Sequence, residues 1–218
     1  MSIRDGVFDN YGSSIQAVIV NAANVTRAYF KNQFNADNVV APTCWSVDTQ
    51  RPCPGVPKPQ RQAIRCMDCK QNIRGSSGYG RACRFFQRLA IALNDDLTKI
   101  YQLQLPATSI FGKTVGGHMP LQEYARHLSK YNTSSASVVT KIYFDSNSVI
   151  PKLFFKPMYG LEKDQLEIVE GMKDHPDTLE AISSVFKPSA TASPFKSVEG
   201  YVYKNHSNLE NEHDPFNK

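Results

Sequence analysis

The chain has 218 residues, 41% of them hydrophobic, and a formal net charge of +5. That length suits one domain with elaborations, or two small ones, and the apolar content is enough for a real core. No run of about 18 apolar residues occurs, which excludes a helical membrane span, and the first 14 residues lack the apolar stretch of a signal peptide, so a cytoplasmic, reducing setting is expected.

Residues 1–14 read as irregular. SIQAVIVNAANV then reads as a strand, because Ile15, Val18, Ile19 and Val20 supply β-branched density. RAYFKNQF follows as a second strand or an edge. Residues 49–62 hold four prolines and Gly55, which neither a helix nor a central strand tolerates, so this is an extended surface loop. Gly75, Gly78 and Gly80 suit tight turns. CRFFQRLAIAL alternates, with Cys83, Phe85, Leu89 and Ile91 on one side and Arg84, Phe86 and Arg88 on the other. A helix competes there, since Phe85, Leu89 and Leu93 are spaced by four. Asn94, Asp95 and Asp96 signal a turn before the strand KIYQLQLPATS, which Pro106 ends.

Pro120 sits at a helix start, and Leu121, Tyr124, Leu128 and Tyr131 give LQEYARHLSKY an apolar face. SVVTKIYFD and KLFFKP predict two more strands around a turn at Ser146–Ser148, with Ile142, Phe144, Leu153 and Phe155 toward the core. LEKDQLEIVEGMK and DTLEAISSVF predict two helices separated at Pro176. The fold class expected is therefore α+β and β-rich. It reads as an OB-like Greek-key barrel with an inserted zinc-binding loop, one helix between strands, and C-terminal helices. The domain spans 1–187 with a zinc subdomain at 44–84, and 188–218 reads as a flexible acidic tail. Residues 161–218 carry six basic and eleven acidic residues, against nineteen and nine before them. That asymmetry points to a polyanion-binding body and a separate tail function.

All five cysteines lie between Cys44 and Cys83. An odd number of thiols in a reducing setting favours a metal site over disulfides. Structural zinc takes four soft ligands at tetrahedral corners, and a C-x2-C turn aims two thiolates at one point. Cys66 and Cys69 form that turn, Cys83 is a third ligand, and Cys44 and Cys53 compete for the fourth place. The Pro/Gly-rich loop buries too little apolar surface to order itself, whereas metal–thiolate bonds convert binding energy into folding energy.

Arg65, Lys70, Arg74, Tyr79 and Arg81 in this region continue into Arg84, Phe86 and Arg88 on the following strand. Lys141 and Tyr143 repeat the pattern on a later strand, and Lys152, Phe154 and Lys156 on the next. Cations track phosphates while aromatic rings stack on bases, which is what single-stranded nucleic acid requires. No recognition helix for duplex DNA is evident.

The order of CWS with Asp48, "GVPKPQ", C-x2-C, "GRACRFFQRLAI", "YQLQLPATS" and the pair "VVTKIYFD…PKLFFKP" resembles a family of phage proteins with a four-cysteine core. The resemblance covers residues 15–170. It implies a role in phage DNA replication or recombination through single-stranded DNA, within the host cytoplasm. In the family pattern the first cysteine precedes Trp/Tyr-Ser, which matches Cys44, and Cys53 stands where no ligand is needed. The zinc set it implies is Cys44, Cys66, Cys69 and Cys83. The tail's Asp214, Pro215 and Phe216 resemble the partner-recruiting tips of bacterial single-stranded DNA-binding proteins, although Asn217 and Lys218 follow. A zinc-ribbon regulator docking on a polymerase or another protein is the competing function. An enzyme is not expected, because no convergent acid–base constellation is evident.

Overall fold

The structure, a computed structural model, describes residues 14–31, 41–78, 80–145, 148 and 152–183. The β-branched run forms β1 (Ser14–Ala22), and after a three-residue break the chain resumes as β2 (Thr26–Tyr29). β1 and β2 act as one bent ribbon, since both lie antiparallel to the same edge of β4 (Cys83–Leu93), with Ala22 opposite Leu89 and Thr26 opposite Phe86. The free edge of the β2 half takes β3 (Cys44–Ser46), and the free edge of the β1 half takes β6 (Val138–Phe144), followed by β7 (Leu153–Gly160). The other edge of β4 takes β5 (Asp96–Pro106). The strand reading of CRFFQRLAIAL therefore prevails over the helical one, because both edges of this segment are hydrogen-bonded into the sheet.

The fold is mixed α+β with few helices, and every named strand pairing is antiparallel. It is open. Among the described residues no pairing joins β5 to β7, so the closed barrel expected from the sequence is not formed. Other groups occupy that gap. The short helix α1 (Ala107–Ile110) leaves β5 at Pro106, whose ring removes a ladder donor. Ser109 Oγ accepts the Leu153 N–H at 2.8 Å, and Met119 exchanges backbone bonds with Phe155 along the outer edge of β7.

Period-two alternation gives the sheet two apolar faces. On one, Ile15, Leu89, Ile91, Leu103, Leu105, Ile142, Leu153 and Phe155 pack under α2 (Leu121–Lys130), which contributes Leu121, Tyr124 and Leu128. The Tyr124 and Thr140 hydroxyls bond at 2.6 Å, so this polar tip is satisfied inside the core. On the other face, Val18, Val20, Ala92, Leu97 and Val139 pack with Val169 of α3 (Lys163–Met172). Glu162 and Gln165 cap that helix reciprocally. Pro176 sits at the first turn of α4 (Pro176–Ile182), where its missing N–H costs nothing.

Two side chains depart from their expected faces. Tyr131 lies beyond the last turn of α2 and is exposed, and Phe144, the last residue of β6, is also exposed because the sheet gives it no cover there. The tail at 188–218, and Ser146 and Asn147 of the expected turn, lie outside the described residues. Among the described residues no helix is long and apolar enough to cross a membrane.

Candidate metal centre and nucleic-acid interface

Strand register assembles the cysteine site. Cys44 stands opposite Tyr29, and Tyr29 opposite Cys83; in the next row Ser46 stands opposite Arg27, and Arg27 opposite Phe85. Directly opposed residues share a face, so these side chains project from one side of the sheet. The C-x2-C turn covers that side. Cys66–Asp68 is one turn of 3-10 helix, closed by the Cys69 N–H on the Cys66 carbonyl at 3.4 Å. The Cys66 N–H donates to the Gln50 carbonyl at 2.7 Å, which ties the turn to the proline-rich loop.

Cys44, Cys66, Cys69 and Cys83 are all buried and line one pocket together with Arg27, Tyr29 and Ser46. Cys53 is only partly buried and does not line it. Its N–H instead donates to the Trp45 carbonyl at 2.9 Å. Asp48 holds the turn between β3 and this loop, accepting from Ser46 Oγ at 2.8 Å and from the Gln50 and Arg51 N–H groups at 2.8 and 3.1 Å. Those hydrogen bonds, led by the Gln50 N–H, hold its carboxyl below the ordinary range. Arg61 fastens the same loop by donating to the Val56 and Pro54 carbonyls, both at 3.0 Å.

Burial pushes the Cys44, Cys53 and Cys66 thiols up, and pushes Cys83 up to about 12, with the Arg27 charge acting the other way at Cys66 and Cys83. At neutral pH and without an ion these are neutral thiols. Among the described residues no three His, Cys, Asp or Glu side chains form a ready metal shell. The donor chemistry nonetheless fits zinc: four soft sulfurs share one pocket, beside a buried guanidinium whose Nε and Nη1 find no hydrogen-bond partner.

The cation–aromatic residues fall into two groups. Lys70, Arg74, Arg81 and Arg84 are exposed around the cysteine loop, and Arg65 is exposed there in an ion pair with Asp68 at 3.1 Å. Tyr79 lies outside the described residues. Phe86 is 8% exposed, so it offers no ring face to a base. Arg88 is held under α4, donating to the Ser183 carbonyl and, at 3.3 Å, to Gln104 Oε1. Gln102 donates to the Ala181 carbonyl beside it at 2.6 Å. The outward presentation expected for Arg84, Phe86 and Arg88 therefore holds for Arg84 alone, because Phe86 is buried and Arg88 is tied to the end of α4.

The second group forms a contiguous patch. Lys141 stands opposite Lys156 and Tyr143 opposite Phe154. The Lys141 ammonium lies 4.9 Å from the Tyr143 ring centroid, and that of Lys152 lies 4.5 Å from Phe154. His118 packs on Tyr143 with ring centroids 4.5 Å apart, and reaches Phe154 at 6.1 Å. Phe154 is largely covered by these neighbours, while Tyr143, His118 and the lysines keep exposed surface. This patch and Arg84 are not neighbours. Lys141 pairs beside Gln16 and Arg84 beside Ala28, which are twelve residues apart on the β1–β2 ribbon. Along β4, whose end is level with Gln16 through the Asn94 N–H bond to the Gln16 carbonyl, the separation is ten residues, roughly 33 Å.

Sequence reasoning missed Arg27 and His118. Alternation with Tyr29 is the only signal for Arg27, and it does not say which face is buried. His118 belongs to a glycine-containing connection, and only the fold brings it to Tyr143. Comparison with family models, with curated proteins and with solved structures finds no match.

Proposed function

We propose that this chain is a single-stranded DNA-binding protein of the kind that serves phage replication or recombination, with an OB-like sheet braced by structural zinc. The observation that carries the reading is the patch on β6 and β7. Two lysines face each other across adjacent strands there, an arrangement that is destabilising by itself. A bound phosphate backbone relieves the repulsion. Tyr143 and His118, set among those cations, supply ring faces for bases.

The OB-like part rests on strand order. β5, β4, β1, β6 and β7 are adjacent in that sequence, with α2 between β5 and β6 in the chain. This suits a five-stranded Greek-key barrel that stays partly open. The zinc part rests on Cys44, Cys66, Cys69 and Cys83 sharing one buried pocket. Bound zinc would supply four directional bonds that order a segment with few apolar contacts of its own. The acidic C-terminal segment is then free to recruit replication or recombination proteins.

Fluorescence anisotropy with oligo-dT and a duplex of equal length tests the DNA reading. The single strand binds more tightly, and its log K falls with log salt at a slope of about −2 or steeper, since three lysines each release about 0.7 counterion. Lys141→Gln and Lys156→Gln each make that slope shallower by about 0.7. Equal affinity for both oligonucleotides, or no binding to either, sinks the reading.

One observation favours the docking alternative. Ile64, Met67 and Ile73 are 88%, 67% and 62% exposed on the cysteine loop. Large apolar side chains presented this way suit a protein partner. A chain that retains zinc and binds neither oligonucleotide would be read as that regulator.

A further inference from the structure

Arg27 is the only buried Lys or Arg among the described residues, at 5% exposure. No ion pair among them includes it, and its Nε and Nη1 have no hydrogen-bond partner. A cation placed like this is costly, because burial removes its hydration and no hydrogen bond replaces it at Nε or Nη1. Its guanidinium carbon lies 4.2 Å from the Phe85 ring centroid. That contact orients the group but carries no negative charge. Arg27 also lines one pocket with Cys44, Cys66, Cys69 and Cys83. Register places Arg27 one row from both Cys44 and Cys83, on the same face.

Four thiolates around a divalent cation carry about two excess negative charges. Such a group inside a protein needs nearby positive charge or donors, just as Arg27 needs an acceptor. Each requirement meets the other. Arg65, Lys70, Arg74 and Arg81 do not answer it in the same way, because all four are exposed to water.

We propose that Arg27 is the positioning residue of the metal site: its buried guanidinium, braced by Phe85, balances the charge of the zinc–thiolate group held by Cys44, Cys66, Cys69 and Cys83. The inference rests on the zinc reading above and goes beyond it by naming the residue that sets the affinity of the site. It also predicts an unusual reversal. Removing Arg27 takes an unpaired charge out of the metal-free interior and takes a counter-charge away from the loaded one.

The test compares full-length wild type with Arg27→Met and Arg27→Lys, each checked for folding by circular dichroism. Zinc affinity is read by chelator competition, thermal midpoints are read with and without metal, and Co2+ spectra report the sulfur-to-metal charge-transfer bands. Wild type takes up one zinc. Arg27→Met weakens zinc binding about 10- to 100-fold and shifts the cobalt bands, Arg27→Lys recovers most of the affinity, and metal-free Arg27→Met melts no lower than metal-free wild type. Unchanged zinc affinity in Arg27→Met overturns the proposal. So does an equal drop of both midpoints with unshifted cobalt bands, which marks Arg27 as ordinary packing. Wild type that takes up no zinc overturns the zinc reading itself, and that failure is visible before any variant is measured.

Discussion

Burial of the Cys83 thiol gives the metal question a pH signature. Its folded-state value is about 12 against an ordinary 9.0, so the metal-free fold binds that proton more tightly than the unfolded chain does. The stability this contributes is complete below about pH 9 and is lost as pH rises toward 12. Zinc reverses the slope, because ligation requires thiolates and each proton released favours binding at higher pH. Unfolding midpoints of chelator-treated protein should therefore stay level to about pH 9 and then fall. Those of zinc-loaded protein should climb between about pH 6 and 8. Parallel curves would reject metal at these thiols. The same chemistry separates the cysteines: Cys44→Ser abolishes zinc retention on metal analysis, and Cys53→Ser, whose thiol lies outside the shared pocket, leaves it intact.

At the scale of elements, β4 and α2 hold the molecule together. β4 pairs with β1, β2 and β5, so each face of the sheet depends on its register. α2 supplies Leu121, Tyr124 and Leu128 to the larger core. Leu128→Ala leaves a cavity there and should cost about 2–5 kcal/mol in chemical denaturation. Oligonucleotide affinity should be unchanged, because α2 lies on the face opposite to Lys141 and Tyr143. Most of these elements were legible beforehand. Ile15 to Val20 marked β1, and the spacing of Leu121, Tyr124 and Leu128 marked α2, because apolar periodicity is a local property. Phe86 and Arg88 were not legible. Alternation placed them opposite Phe85 and facing outward, but Phe86 is buried and Arg88 donates to the Ser183 carbonyl at the end of α4, some ninety residues later in the chain.

At the scale of the molecule, neither apolar cluster among the described residues draws on 44–83. The cysteine loop is joined to the body through β3 and through the start of β4. If the site holds zinc as proposed, its removal by a chelator should therefore loosen this region without melting the sheet. Hydrogen exchange is expected to accelerate across residues 47–82 while β1, β4 and β6 stay protected. Loss of protection throughout the sheet would show that the loop and the body unfold as one unit.

Apart from β3, α1 and the choice between strand and helix at β4, the sequence by itself determined the strands, the helices, the C-x2-C turn and the concentration of positive charge before residue 161. Each is a matter of residue type and spacing over a few positions. Only the tertiary structure decided that the sheet stays open, that the basic residues divide between two ends of the β1–β2 ribbon, and that Arg27 turns inward beside four thiols. These depend on which strands pair and in what register, and a one-residue change of register moves every side chain to the other face.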